Sequence, residues 1–315
     1  MAILKLKAPT KDYLWGGRRL IEEYHKAAES DILAESWELS CYPGSSSVIE
    51  NGEFAGKTLN EFIEIRGKEV LGSNCVKFEN FPVLIKFIDA KKDLSIQVHP
   101  SDEYALKNEK QYGKTEMWYV LDAEEGAFLY YGFKSEISKE EFERRIHDNT
   151  LTEVLNKVEV KKGDVFFIES GTLHAIGAGI LIAEIQQNSN VTYRVYDYGR
   201  KGNDGKLREL HIDKALEVTN RFPAKAFKSP EPHIAKCKYF TVDKISLSGD
   251  LTSRLSGKVG NETFVHILVL DGEGSILCKN EELHFEKGDS FFIPAGSGDY
   301  ELRGRCEAIM TYESE

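Results

Sequence analysis

The sequence has no long apolar run, no basic run and no paired cysteines. No stretch approaches the ~20 consecutive apolar residues that span a bilayer. The first residues, Met1-Ala2-Ile3-Leu4-Lys5-Leu6-Lys7, lack the apolar core of a signal peptide. A membrane partner is therefore not expected. The formal net charge is −11 over 315 residues, with no Lys/Arg cluster to interrupt it. This argues against a nucleic-acid partner, but leaves an anionic small substrate open, because a site needs only one or two local cations. The five cysteines (Cys41, Cys75, Cys237, Cys278, Cys306) are scattered, and none forms a Cys-x-x-Cys pair. That argues against a disulfide framework or a cysteine-based zinc site and points to a reducing cytoplasm. No apolar helix face stands out either, so a monomer is expected. What is present is ordinary for a globular chain: 41% hydrophobic and 30% charged residues, long enough for one large or two moderate domains.

Residues 1–80 alternate short strand-like and helical pieces. Glu35 to Ser40 alternates polar and apolar as a half-buried strand does. Thr58 is placed to cap a short helix. Arg18-Arg19, after the Trp15-Gly16-Gly17 turn, reads as exposed charge. From Phe81 onward, strands are expected at 83–89, 93–98, 116–122, 126–132, 158–161, 164–168, 180–187 and 191–196, with glycine at their turns. Two helical pieces interrupt them. One starts at Ser138 with capping-box spacing and runs towards 156, and the other lies near 210–220. Phe222 to Pro232 holds three prolines and reads as a linker.

A weak internal repeat organises these strands. Lys162-Gly163-Asp164-Val165-Phe166-Phe167-Ile168 recurs 125 residues later as Lys287-Gly288-Asp289-Ser290-Phe291-Phe292-Ile293. Tyr119-Val120-Leu121-Asp122 recurs 149 residues later as Leu268-Val269-Leu270-Asp271. The offsets differ by 24, the size of one helical insertion in the first of two related β-domains.

The stretch Leu94 to Pro100 adds chemistry. Alternation puts Ser95, Gln97 and His99 on one strand face and Leu94, Ile96 and Val98 on the other. A polar face on a strand embedded in the core must meet something polar, and a metal ion is one answer. Gly163-x5-Glu169-x-Gly171-x2-His174 resembles the second signature of the cupin superfamily, small double-sheet barrels of jelly-roll type. The resemblance implies a mainly β fold of two such barrels with a small helical insertion. We therefore expect a metal-binding domain over 1–222, with insertions at about 134–157 and 207–220, and a second cupin-like domain over 223–315. The second copy has Val265 for Glu116 and Asp299 for His174, so it is expected to hold no metal. Gln97, His99, Glu116 and His174 are the candidate ligands, a set that suits Zn²⁺ with one position left open. The remaining histidines, His211 and His266 among them, read as structural or solvated.

Longer motifs carry a closer resemblance. Ser95 to Pro100, Gly113-Lys114-Thr115-Glu116-Met117-Trp118, Gly171-Thr172-Leu173-His174-Ala175 and Gln187 to Asp197 together resemble the type I mannose-6-phosphate isomerases (phosphomannose isomerases), in their short bacterial form. This implies one zinc ion per chain held by Gln97, His99, Glu116 and His174. It also implies substrate contacts from Ser95 and Lys114, a catalytic role for Arg194 and an acidic active-site residue at Glu184; from the chemistry of the reaction we assign Glu184 as the carbon acid/base, Lys114 to substrate oxygens or proton movement, and Arg194 to enediolate charge or sugar orientation. The implied reaction interconverts mannose 6-phosphate and fructose 6-phosphate through a cis-enediol. Arg194, Arg18 and Arg200 are candidates for the phosphate. A cupin metal dioxygenase, a non-catalytic sugar-binding cupin and an isomerase of another phosphosugar are the alternatives.

Overall fold

The computed structural model describes residues 3–202, 205–249 and 253–314. Two sheets face each other in the first barrel. One runs Val165–Ile168, Glu116–Ala123, Ile180–Gln187, Val83–Ala90, Glu35–Leu39, Thr10–Lys11 in spatial order. The other runs Leu155–Glu159, Phe128–Phe133, His174–Ile176, Ile96–Val98, Tyr193–Tyr196. Ile88, Val120 and Ile182 from the first sheet meet Leu129, Tyr131 and Ile176 from the second in one apolar cluster. That cluster fills one end of the barrel, and the other end is polar.

The larger sheet is buried on both faces, which is why Val83–Ala90 and Ile180–Gln187 read as nearly continuous apolar runs. Its outward residues, among them Ile85, Phe87, Met117 and Tyr119, pack against Phe240, Phe264, Leu268 and Phe292 of the C-terminal half. The same packing corrects the expectation for Glu35–Leu39. This strand is buried throughout rather than half-buried, because Glu38 meets Lys26 at 2.7 Å beneath the second barrel.

The helical pieces cover the outer face of the smaller sheet. Phe142, Ile146, Ala215 and Leu216 pack on Ile96, Val98, Ala175 and Val195. The first helix, Lys139–His147, is shorter than its sequence pattern suggests. Asn149 adopts a left-handed φ of +56°, and the Thr150 amide bonds the Arg145 carbonyl, closing the helix. The chain then enters Leu155–Glu159, whose start the sequence pattern placed three residues late.

The C-terminal half closes a second barrel around its own apolar interior of Val265, Ile267, Phe285, Phe291, Tyr300 and Leu302, among others. It recruits the N-terminal strand Leu4–Lys7, which pairs with Ser290–Ile293. The repeat holds at the level of hydrogen bonds. Gly163 N bonds Val120 O, and Val120 N bonds Asp164 O; Gly288 N bonds Val269 O, and Val269 N bonds Asp289 O. Glu116 pairs with Ile168 as Val265 pairs with Ile293. Even the bulges correspond, at Leu121 and Leu270. The fold is therefore mainly β, two cupin-like barrels with a small helical insertion. Asp299 departs from its sequence alignment with His174. Gly298 takes a φ of +87°, and Asp299 points outward while Tyr300 occupies the interior.

Candidate metal centre and active-site cavity

Two rows of side chains face each other across the polar end of the first barrel. On the larger sheet, Trp37, Lys86, Glu184 and Trp118 are cross-strand neighbours in register. Glu116 lies two residues before Trp118 and so shares its face. On the smaller sheet, Gln97 stands between His174 and Arg194. His99 follows the strand Ile96–Val98 and joins the group from the side.

His99, Glu116 and His174 are fully buried, and their ligand atoms lie within 4.8 Å of one another. His99 Nδ1 donates to the Val191 carbonyl at 2.8 Å, and His174 Nδ1 donates to the Thr172 carbonyl at 2.8 Å. A carbonyl can only accept, so both rings carry their proton on Nδ1. Both therefore present a bare Nε2, the arrangement that prepares imidazole to bind a cation. His174 Nε2 is 3.4 Å from Glu116 Oε1, and His99 Nε2 is 3.8 Å from Glu116 Oε2. His99 Nε2 and Glu116 Oε1 are buried without a hydrogen-bond partner, and Glu116 Oε2 faces Lys114. Burial lowers the basicity of both imidazoles, His174 to about 4, so near neutral pH they are unprotonated. Burial, then the charge of Glu184, raises Glu116. A carboxylate with raised affinity for positive charge between two neutral imidazoles suits a divalent metal ion. The Gln97 amide lies 3.5 Å from His174 Nε2. Exchanging the two ends of this amide would turn its oxygen toward the same point.

Beside this group runs a chain of alternating charges. Lys114 Nζ is 2.8 Å from Glu116 Oε2 and 3.5 Å from Glu184 Oε1. Lys86 Nζ is 3.4 Å from both Glu184 Oε1 and Glu35 Oε2. Burial pushes the Glu184 carboxyl up, but Lys114 and Lys86 outweigh it and hold the group ionised. Trp118 Nε1 donates to Glu184 Oε2 at 2.9 Å, while Oε1 faces the two lysine ammonium groups. Glu35, Lys86, Lys114 and Glu184 border a cavity of about 280 Å³ that also exposes Ser95, Gln97, Arg194 and Arg208.

Asp102 ties the flanking loops together. Its Oδ1 accepts from the Gly113 amide at 2.9 Å and from Gln187 Nε2 at 2.8 Å; Gln187 Oε1 in turn accepts from the Thr115 amide at 2.8 Å. Its Oδ2 accepts from Tyr239 of the C-terminal half at 2.6 Å. Gly113 must lack a Cβ, which would fall 2.4 Å from the Ser101 carbonyl carbon.

The structure thus brings together all eight residues expected from the sequence: Ser95, Gln97, His99, Lys114, Glu116, His174, Glu184 and, beside Gln97, Arg194. It does not bring Arg18 or Arg200 to the cavity. Arg18 pairs with Glu22 on the surface, and Arg200 is taken up by Asp197 and the Asp93 carbonyl. Sequence reasoning missed Glu35, Lys86, Arg208 and the supporting role of His211, whose Nδ1 accepts from the Arg194 amide at 3.1 Å. Lys86 left a signal: it is the lone charge inside Val83-Leu84-Ile85-Lys86-Phe87. Arg208 left none.

Two family models match the chain: phosphomannose isomerase type I, catalytic domain, over residues 3–130, and mannose-6-phosphate isomerase, cupin domain, over residues 231–313. The mannose-6-phosphate isomerase ManA of Bacillus subtilis is 38% identical, with 98% of each chain covered. The chain belongs to the type I mannose-6-phosphate isomerase family. A Streptococcus mutans mannose-6-phosphate isomerase is 36% identical over 99% of this chain and 98% of its own. Among solved structures, the Bacillus subtilis mannose 6-phosphate isomerase superposes with a TM-score of 0.90 at 33% identity, over 99% of both chains. The candidate metal ligands and the alternating charges described above therefore sit in an isomerase scaffold matched along its whole length.

Proposed function

We propose that this isomerase binds one zinc ion through His99, Glu116, His174 and the amide oxygen of Gln97. With it, the enzyme would interconvert D-mannose 6-phosphate and D-fructose 6-phosphate through a cis-enediol. The observation that carries the reading is the pair of imidazoles, each locked by a backbone carbonyl with its bare Nε2 facing the one buried Glu116 carboxylate. Two nitrogens, a carboxylate and a neutral amide leave a position open and suit a catalytic zinc site. Bound zinc would supply Lewis acidity to the substrate's hydroxyl and carbonyl oxygens.

The chain's own residues would do the rest. Glu184 Oε1, ionised between Lys86 and Lys114, is the base placed to take the proton from C2 and return it to C1. Trp118 fixes the other oxygen, so this one keeps its direction. Lys114 would stabilise negative charge developing on the substrate oxygens at the moment of transfer. Arg194, beside Gln97, would orient the sugar with its planar fork. Ser95 Oγ lies 3.4 Å from the end of the Gln97 amide that faces away from His174; with the amide oxygen toward the metal it would accept from the NH2, steadying the amide where it borders the substrate.

The division into a catalytic part, residues 1–222, and a metal-free part, residues 223–315, belongs to the same proposal. In it, the Leu4–Lys7 strand serves the second part's sheet. We further infer a monomer in the cytoplasm, where the five free cysteines stay reduced, with a phosphosugar and no nucleic acid as its partner. No helix among the described residues is long and apolar enough to cross a membrane.

The test is turnover of mannose 6-phosphate by the purified protein as prepared, after chelation and after adding zinc back, with metal content measured alongside. Activity lost to the chelator and restored by one equivalent of zinc supports the reading. Folded, zinc-loaded protein without turnover would overturn it and favour a sugar-binding cupin.

A further inference from the structure

The cavity holds an excess of positive charge that its own carboxylates do not neutralise. Lys86 and Lys114 are each flanked by two buried carboxylates. The two arginines are not. Among the described residues, no carboxylate lies within ion-pair distance of Arg194; its Nη1 donates to the Glu209 carbonyl, and its buried Nε has no hydrogen-bond partner. Arg208 shares the single carboxylate of Asp197 with Arg200, at 3.3 Å from Oδ1. Two guanidinium groups thus border one pocket with one shared counter-charge, and that charge belongs chiefly to an arginine outside the pocket. Guanidinium forks of this kind match phosphate oxygens.

The two arginines occupy different depths. Arg194 stands directly across from Gln97 in the strand pair, at the reaction end. Arg208 comes from the loop after Asp197 and is 25% exposed. It borders the cavity together with Tyr13, which is 41% exposed, while Lys114 and Glu184 at the deep end are only 4% and 3% exposed. A sugar with its reacting carbons at the deep end would extend its far terminus toward Arg208. We propose that Arg208 is the residue that recognises the substrate's phosphate, with Asp197 orienting its fork and Arg194 completing the anion site. The inference rests on the phosphosugar reading and names the part of the cavity that enforces it.

Arg208→Ala, Arg208→Lys and Arg200→Ala test it, each checked for folding by thermal unfolding. Two readouts are needed: steady-state kinetics with mannose 6-phosphate, and calorimetric binding of a hexitol 6-phosphate, which cannot isomerise. Arg208→Ala should raise KM and weaken hexitol phosphate binding roughly ten- to hundred-fold, the range of one charge-assisted hydrogen bond, with kcat falling by less. Arg208→Lys should recover part of the binding, and Arg200→Ala should leave it near wild type. Unchanged hexitol phosphate binding in folded Arg208→Ala would overturn the proposal. So would equal losses in Arg200→Ala and Arg208→Ala, which would mark the loop as structural. Because binding is read without turnover, a wild type that binds the hexitol phosphate but does not isomerise mannose 6-phosphate would sink the isomerase reading and leave this one standing.

Discussion

The two barrels share a register, a pair of turn glycines and a bulge, yet one interior is charged and the other is apolar. Where the first has Glu116 and Trp118, the second has Val265 and Ile267 packed among Phe285, Phe291 and Leu302. The scaffold therefore does not create the site. A few inward positions do, at the cost of burying carboxylates and lysines that an apolar core would not need. The second barrel is what the first would be if it were built only for stability, and it contributes the surface that buries the back of the catalytic sheet.

The largest expected effect comes from erasing the difference directly. Glu116→Val gives the first barrel the second's residue. It should abolish stoichiometric zinc binding and lower activity by at least ~10³-fold, since it removes the anionic ligand. Secondary structure by circular dichroism should be unchanged, because the apolar cluster at the other end of the barrel does not involve Glu116. Retained zinc and activity would mean that the metal group lies elsewhere.

Trp118→Phe is a narrower change. It keeps most of the ring and removes the Nε1 donor that holds Glu184 Oε2. A hydrogen bond to a charged group carries about 1.5–3 kcal/mol, so kcat should fall roughly ten- to hundred-fold, with zinc content intact. A variant with full activity would show that Glu184 needs no such support, and would weaken its assignment as the base.

The barrels also touch at a point that matters to the site. Tyr239, just ahead of the strand Thr241–Leu247, reaches Asp102, and Asp102 fixes the loop that carries Lys114. Tyr239→Phe should lower kcat/KM several-fold, about 1 kcal/mol, and Asp102→Ala should lower it further. An effect on thermal stability without one on kcat/KM would make the contact purely structural.

How much of this was legible depended on which kind of signal each residue leaves. His99, Glu116 and His174 stand in local motifs with glycine turns, and the repeat gave the double-barrel plan because both copies obey the same backbone hydrogen bonds. Lys86 is an isolated charge in an apolar strand, and only tertiary contact shows that it stands between Glu35 and Glu184. Arg208 and His211 lie in an irregular segment where no periodicity exists, and tertiary contact alone gives them meaning. Asp299 shows the opposite failure. Its spacing matched His174, but a glycine at positive φ shifted the alternation, and a shift of one residue turns a side chain to the other face.

The smallest effect on activity, none, is expected from a buried carboxylate in the second half, and it sharpens the comparison. Glu313 is buried at the end of the strand Gly298–Tyr312, with Lys77 at 2.6 Å from Oε1. Burial raises its pKa to about 7, against the pull of Lys77. A carboxyl whose pKa is raised by folding binds its proton more tightly in the native state. Its contribution is therefore fully present below the ordinary value of 4.5 and is lost as pH rises through about 7. Glu313→Gln keeps the neutral form at every pH, so it should remove a decline in unfolding free energy on the order of 1–2 kcal/mol between those limits. Denaturant unfolding at a series of pH values would show it, and a wild-type profile that Glu313→Gln leaves unchanged would count against a raised pKa. Glu116 faces the same desolvation, but a bound dication would satisfy its charge, so its proton should be displaced when metal binds. The two barrels thus hold the same kind of buried carboxylate under two regimes, one that a metal ion would answer and one answered by a proton.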